Sequence, residues 1–395
     1  MFYIAEKNAD LCLECDYCEK FTPCMGFGPC SGCGVCYLLC PYDAVKLKQK
    51  ENFREIGIKV DGEKFYVPEN ITVKKALEFL GFKFQSLRGI DEEFLCCTGG
   101  CWNCIVMINE ELKRGCITRV EENMEIRLTF NYEPLRSIQK ISKVEETPLT
   151  ITPKGIAYSQ PEVVCIVCGC NFRCPQCFNW LAVYNSRGVP LTAKETAKAL
   201  TSQAVFWGAK QIAITGGEPT LNKKWLLNLV REIKSLSEKV YSETIKVHVD
   251  TNGSLLTSEY LDELTYSGMD AITIDIKAAR LETFMKITGL VNKGLAERFF
   301  NRAWKAVKHT LDVGRVDVVV GLPYNEELIS FEEFQEVGCK LRMLSEDIKV
   351  TIIPYMPAFR RRNMAKPSIE KLKKAYSILK DEGLKNVVCQ VGVGI

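Results

Sequence analysis

Cys170, Cys174 and Cys177 stand in the run Cys170-Asn171-Phe172-Arg173-Cys174-Pro175-Gln176-Cys177. Three thiolates so spaced can hold a [4Fe-4S] cluster and leave one iron without a protein ligand. An iron with a free position is a place for chemistry. Two further arrays lie upstream. One holds Cys12, Cys15, Cys18, Cys24, Cys30, Cys33, Cys36 and Cys40; the other holds Cys96, Cys101, Cys104 and Cys116. The chain has 20 cysteines and 2 histidines, so sulfur must dominate its metal chemistry. Short spacings and a charged N-terminus without an apolar core favour metal ligation in a reducing compartment over disulfides. The expected location is cytoplasmic.

The C-x3-C-x2-C run resembles the signature of radical S-adenosylmethionine enzymes. The resemblance implies that Cys170, Cys174 and Cys177 bind the catalytic cluster. The open iron would take the amino and carboxylate groups of S-adenosylmethionine. One electron would split the sulfonium, and the 5'-deoxyadenosyl radical would abstract a hydrogen atom. Ile214-Thr215-Gly216-Gly217-Glu218-Pro219 is similar to the family's second motif. There Gly216 and Gly217 admit the methionine moiety and Glu218 meets its ammonium. A lone Gly-Gly pair is ordinarily a turn. This one ends a strand candidate, some 40 residues beyond the cysteines.

Asp250-Thr251-Asn252-Gly253, Asp275-Ile276-Lys277 and Thr283 to Gly289 resemble glycyl-radical-enzyme activases, the group of the pyruvate formate-lyase activating enzyme. By that likeness Asp250 and Asn252 line the cofactor site, and Asp275 and Lys277 hold cofactor or substrate. Taken singly, each is equally a capping or loop residue. The group often carries an aromatic before its third cysteine, where this chain has Gln176. Phe172 or Phe178 is the alternative contact, and packing is the competing role for both.

In the first array, Cys30, Cys33, Cys36 and Cys40-Pro41 read C-x2-C-x2-C-x3-C-P, the bacterial ferredoxin run. The array resembles a two-cluster ferredoxin. With the usual cross-pairing, Cys12, Cys15, Cys18 and Cys40 bind one [4Fe-4S] cluster, and Cys24, Cys30, Cys33 and Cys36 the other. A structural zinc module is the alternative. In the second array the ligands are separated by four, two and eleven residues. That resembles plant-type [2Fe-2S] domains, closest to succinate dehydrogenase iron-sulfur subunits. Gly99 and Gly100 suit a tight loop around such a cluster. Cys97 is surplus, and the alternative is a cluster-free scaffold.

Positioning such arrays takes three modules. Residues 1–48 form the cysteine-rich ferredoxin-like unit. Residues 49–145 read as a β-grasp: strands over Ile56–Val60 and Lys64–Val67 about Asp61-Gly62, a helix over Thr72–Leu80, and strands over Cys104–Ile108, Cys116–Val120 and Met124–Leu128. Residues 146–159, rich in Thr and Pro, form a linker. Residues 160–395 alternate strands (Gln211–Thr215, Thr244–Val249, Ala271–Ile276, Arg315–Val320, Ile348–Ile353) with helices (Ala193–Trp207, Lys224–Ser237, Ser258–Ser267, Asn301–Thr310). The fold class is therefore α/β: a partial (β/α) barrel behind two ferredoxin-like modules. Sites in such sheets lie beyond the C-terminal strand ends, where the motifs fall.

The net charge of +3 gives no argument for nucleic acid. No apolar run is long enough to span a membrane. Arg360-Arg361-Arg362 is a solvated run or a contact for an anionic substrate or partner. Cys165 and Cys168 are packed thiols, auxiliary ligands or redox-active thiols; Cys339 and Cys389 are expected to be buried. The activity expected is radical S-adenosylmethionine chemistry with the upstream clusters as an electron relay, installing a glycyl radical on a partner enzyme. Radical modification of a metabolite, peptide or RNA is the alternative. A non-catalytic electron-transfer protein is the reading from another class. An external donor such as ferredoxin or flavodoxin is implied.

Overall fold

The computed structural model describes residues 2–24, 30–50, 53–84, 92–144, 150–152, 155–157, 162–240 and 245–390. In the first module β1 (Phe2–Lys7) pairs antiparallel with β2 (Val45–Lys50), and short helices occupy Tyr17–Phe21 and Val35–Leu39. Among its described residues the buried apolar side chains are few, Val35, Leu39, Cys40, Ala44 and Val45, and Cys12, Cys18 and Cys36 pack against the last three. The stretch between Cys24 and Cys30 lies outside the described residues.

The second module is a five-stranded sheet. β3 (Glu55–Val60) and β4 (Glu63–Pro68) form a hairpin. Asp61 and Gly62 both take positive φ at its tip, as a two-residue turn demands. The helix Val73–Phe79 follows, with Thr72 Oγ1 accepting from the Lys75 N–H as N-cap. β5 (Ile105–Ile108), β6 (Glu111–Arg114) and β7 (Glu125–Arg127) complete the order β4-β3-β7-β5-β6. The expected strand over Cys116–Val120 is not formed. Residues 115–117 turn instead, with the Gly115 N–H on the Cys104 carbonyl, which curls Cys116 back toward Cys104.

The third module is an open sheet with helices packed on it. Its strands are β8 (Leu135–Val144), β9 (Thr150–Thr152), β10 (Gly155–Ala157), β11 (Glu162–Val167), β12 (Val189–Thr192), β13 (Gln211–Gly216), β14 (Lys246–Thr251), β15 (Ala271–Asp275), β16 (Asp317–Tyr324), β17 (Lys349–Pro354) and β18 (Asn386–Gln390). β11 and β13 to β18 run parallel in chain order. β8 and β12 extend one edge antiparallel; β9 and β10 extend the other. This is the partial barrel expected behind two smaller modules. The expected helices are present, and two are longer, at Lys223–Val240 and Lys293–Val313. Helix Ala193–Trp207 has a capping box of Thr192 with Glu195 and ends at Gly208, φ 64°.

Two boundaries differ from expectation. β8 lies in the range read as the second module, yet it pairs with β11 of the large sheet. The described parts of the expected linker, β9 and β10, form a hairpin on the sheet edge; the rest of that linker lies outside the described residues. Both segments gain hydrogen bonds from a sheet far away in sequence, which local composition cannot announce.

Candidate active site and its cysteine arrays

The parallel strands end on one cavity of about 670 Å³, within the roughly 300–1,000 Å³ of small-molecule sites. Cys170, Cys174 and Cys177 line it from the loop after β11. Gly216, Gly217 and Glu218 line it at and just past the end of β13, Asp250 and Asn252 at the end of β14, and Asp275 and Lys277 at and just past the end of β15. Pro323, Pro354 and Tyr355 close it from β16 and β17. All ten residues expected at the radical centre therefore face one space.

The glycines have a first duty to the backbone. A Cβ on Gly217 would lie 2.1 Å from the Gly169 carbonyl oxygen, and one on Gly216 2.6 Å from the Val167 nitrogen. Only glycine lets the β13 end lie this close to the β11 end. The Gly217 N–H then donates to Val167 O (2.8 Å) and the Glu218 N–H to Gly169 O (2.9 Å).

Glu218 is 1% exposed. Its Oε1 accepts from the Thr220 N–H (3.0 Å), the Thr220 hydroxyl (2.6 Å) and the Thr251 hydroxyl (2.7 Å); Oε2 accepts from the Asn252 N–H (2.8 Å). Burial pushes its carboxyl pKa up, against those four donors. The carboxylate is thus fixed in place, and Oε2 keeps a lone pair for a cation. Asn252 Nδ2 bonds Asn171 Oδ1 (3.1 Å), and Asn252 Oδ1 accepts from the Ser254 N–H (3.0 Å). His248 Nε2 lies 3.2 Å from Asp250 Oδ1. Lys277 Nζ pairs with Asp275 Oδ2 at 2.6 Å. Burial works against that ammonium, but Asp275, Tyr355 and Cys174 hold its pKa well above the usual lysine value.

Phe172 packs on Phe284 and Phe299, with centroids 5.7 and 5.9 Å away. Phe172 and Phe178 both line the cavity, but Phe172 is 2% exposed and Phe178 61%, so Phe178 has the more open face to offer a ligand. Gln176 is buried with its Nε2 on the Ile287 carbonyl.

The second array sits against the loop of Cys170, Cys174 and Cys177. Cys96, Cys101, Cys104 and Cys116 are all buried. The Cys101 and Thr98 N–H groups point at Cys96 Sγ (3.3 and 3.4 Å), and the Cys116 N–H at Cys104 Sγ (3.4 Å). Cys96 shares a hydrogen bond with Cys101, and Cys104 shares one with Cys116. Two thiol pairs ringed by N–H donors are the donor set a two-iron, four-thiolate cluster needs. Cys97 packs instead toward the second module's core, and burial raises its thiol. A Cβ on Gly169 would lie 3.0 Å from Cys96 Sγ, and one on Gly100 2.3 Å from the Cys168 carbonyl carbon. The two cysteine loops therefore touch. Arg173 spans them, donating to Cys96 O (2.7 Å), Cys170 O (2.7 Å) and Phe172 O (2.8 Å). Asn222 Nδ2 adds bonds to Cys101 O and Leu135 O, both 3.0 Å.

In the first array, Cys18 is pushed up to about 11 by burial and by its neighbours Cys40, Cys15 and Cys12. Cys36 is pushed up to about 12 by burial and by Cys33, Cys18, Cys30 and Cys24. The neighbours of Cys18 belong to its own cross-paired set, whereas those of Cys36 include Cys18 of the other set. Among the described residues, no three His, Cys, Asp or Glu side chains close around a single ion. The fit to clusters thus rests on donor type, loops and N–H groups.

The arginine run has a role in neither of the two expected classes. Arg360 donates to Tyr37 O (2.7 Å) and Cys40 O (3.2 Å) and pairs with Asp43 (3.0 Å); Arg362 donates to Pro41 O. Its partner is the chain's own first module, at carbonyls a helix end leaves unpaired. Cys165 and Cys168 are buried, and burial pushes each to about 12. Cys389 is buried, but Cys339 is exposed, contrary to expectation. Arg136, Arg173 and Asn222 carry no motif; only their contacts identify them.

Residues 164–334 match the family model of the radical SAM superfamily, and residues 54–130 that of a 2Fe-2S iron-sulfur cluster binding domain. Over 172 residues the chain is 31% identical to a protein named probable GTP 3',8-cyclase from Saccharolobus islandicus, covering 42% of this chain and 50% of that one. Over 175 residues it is 29% identical to 7-carboxy-7-deazaguanine synthase from Clostridium acetobutylicum, covering 43% and 73%. The chain thus spans about half the length of the cyclases it matches. Among solved structures, S-adenosylmethionine-bound SuiB from Streptococcus suis aligns with a TM-score of 0.43 at 19% identity, over 57% of this chain and 45% of that one. A domain of the pyruvate-formate lyase-activating enzyme from Bacteroides vulgatus aligns with 0.34 at 17%, over 45% and 96%. No described helix is long and apolar enough to cross a membrane.

Proposed function

Starting from a chain that carries a radical S-adenosylmethionine enzyme domain behind a 2Fe-2S ferredoxin-like domain, we propose an enzyme that wires its own reductant to its radical centre. The observation that carries the reading is Gly169. It lies against Cys96 on one side and precedes Cys170 on the other, so the [2Fe-2S] loop and the catalytic loop share a wall.

Cys170, Cys174 and Cys177 would hold the catalytic [4Fe-4S] cluster, and Cys96, Cys101, Cys104 and Cys116 the [2Fe-2S] cluster. The two cross-paired sets of the first module would hold one auxiliary [4Fe-4S] cluster each. The catalytic cluster and S-adenosylmethionine, when bound, supply a 5'-deoxyadenosyl radical by one-electron cleavage. The residues of the chain bind and orient. Glu218 Oε2 accepts the methionine ammonium, Asn252 and Asp250 fix polar groups of the cofactor, and Phe178 offers its face to adenine. The Asp275–Lys277 pair lines the cavity as a charged anchor for cofactor or substrate. An external ferredoxin or flavodoxin supplies the electron through the first module. The substrate reading we favour is a glycine of a partner enzyme, which would become a glycyl radical. A small nucleotide-like metabolite is the second reading, favoured by the names of the cyclase and synthase relatives.

The test is anaerobic incubation of the reconstituted protein with S-adenosylmethionine and dithionite, followed by mass-spectrometric detection of 5'-deoxyadenosine. Product that a Cys174→Ser variant does not make supports the reading. No product from a protein with verified clusters refutes it. EPR of a candidate partner then separates the substrates: a glycyl doublet for the first reading, none for the second.

A further inference from the structure

Arg136 is 0% exposed. Its Nη2 donates to Glu218 O at 2.9 Å and to Gly169 O at 3.3 Å. Its Nε and Nη1 are buried without a hydrogen-bond partner, and among the described residues it forms no ion pair. A guanidinium keeps its charge at any ordinary pH. A buried cation without a counter-charge is expensive, and native proteins pair it.

The surroundings say where the counter-charge belongs. Arg136 lies on β8, and the next residue, Ser137, is bonded into both cysteine loops. Its N–H donates to Gly100 O (3.1 Å), its carbonyl accepts from the Cys168 N–H (2.9 Å), and its hydroxyl accepts from Trp102 Nε1 (2.9 Å). Gly169, held by Arg136 itself, touches Cys96. Two ferric ions, two sulfides and four thiolates sum to roughly minus two, and one more on reduction. A cluster bound by Cys96, Cys101, Cys104 and Cys116 would bring that negative charge to the loop that Ser137 bonds at Gly100 and that Gly169 meets at Cys96.

We propose that Arg136 is the counter-cation of the [2Fe-2S] centre, clamped between the two cysteine loops to stabilise the electron held there. This rests on the cluster assignment proposed above. The step is a one-electron transfer: a ferredoxin or flavodoxin is oxidised and the [2Fe-2S] centre is reduced. Arg136 is a positioning residue; it touches neither substrate nor S-adenosylmethionine in this role.

The test is an EPR-monitored redox titration of the full chain with clusters reconstituted, comparing Arg136→Met and Arg136→Lys with the natural sequence. Arg136→Met should lower the equilibrium constant for reduction of the [2Fe-2S] centre tenfold or more, about 59 mV for one electron. Arg136→Lys should stay much closer to the natural value. A natural-like potential in Arg136→Met, with [2Fe-2S] absorbance intact, overturns the proposal and leaves Arg136 a structural clamp. Should Arg136→Met not assemble, Arg136→Lys decides: a potential near the natural one supports the proposal, and a tenfold loss overturns it. Absence of any [2Fe-2S] signal in the natural protein overturns the cluster assignment instead, which keeps the two failures distinct.

Discussion

The loop of Cys170, Cys174 and Cys177 and the array of Cys96, Cys101, Cys104 and Cys116 meet at Gly169, yet they treat their sulfurs oppositely. The first turns three thiols toward a cavity, with Cys174 and Cys177 half-buried. The second seals all four, the most exposed being Cys116 at 5%. Three donors beside open space leave an iron for a ligand. Four donors beneath packed side chains leave passage for electrons alone. On the proposed reading, the geometry around the sulfur is what would separate a reacting centre from a conducting one, and the loops that carry them touch at Gly169.

The strongest way to break this contrast is Cys174→Ser. It should bring 5'-deoxyadenosine formation to background while leaving the [2Fe-2S] EPR signal intact, because residues that act as a unit fail together. Next is the Cys101→Ser, Cys104→Ser double variant. With a physiological ferredoxin its turnover should fall ~10–100-fold, the size of effect seen when a metal site's support is removed. With dithionite most turnover should survive. Equal losses in both assays would show that the sealed array conducts nothing.

Much of this contrast was legible in the residues. Cluster ligands are local in sequence, so spacing alone grouped Cys12 to Cys40, Cys96 to Cys116 and Cys170 to Cys177. Parallel strands carry continuous apolar runs, and β13, β15 and β17 fell within about two residues of expectation, the usual boundary scatter. What was not legible is the joinery. β8 falls inside the range 49–145 given to the second module because nothing in Leu135–Val144 names β11, Glu162–Val167, as its partner. Arg136 and Gly169 belong to no motif, and only the fold brings Arg136 to Gly169 O and Gly169 to Cys96. Cys116 was expected on a strand, since a thiol's demand to face Cys104 does not show in β-propensity.

Gly169→Ala sharpens the contrast at its seam. The residue sits at φ 83°, where a side chain costs roughly 1–2 kcal/mol, and its methyl would meet Cys96 Sγ at 3.0 Å. The loops must part by a few tenths of an ångström. Stability should drop by about that 1–2 kcal/mol in urea unfolding, and ferredoxin-driven turnover should drop more than dithionite-driven turnover. A loss of stability with no difference between reductants would make Gly169 a packing residue only.

The smallest effect belongs to Arg360→Ala, which tests whether the first module stays in the circuit by docking. Arg360 holds three groups of that module: Tyr37 O, Cys40 O and the Asp43 carboxylate. The Asp43 pair is exposed on its acidic side, 65%, and is worth little. The two carbonyl bonds matter more, because a charged donor's hydrogen bond contributes about 1.5–3 kcal/mol. Tyr17 against Trp180 (4.8 Å) and Leu39 in the cluster around Phe359 continue to hold the module. The expected result is therefore loosening without release. Hydrogen exchange should quicken in residues 35–50 and stay unchanged in β13 to β17. Ferredoxin-driven turnover should fall severalfold while dithionite-driven turnover holds. Unchanged exchange would move the docking energy to the aromatic contact, and Trp180→Ala would then be the variant that opens the circuit.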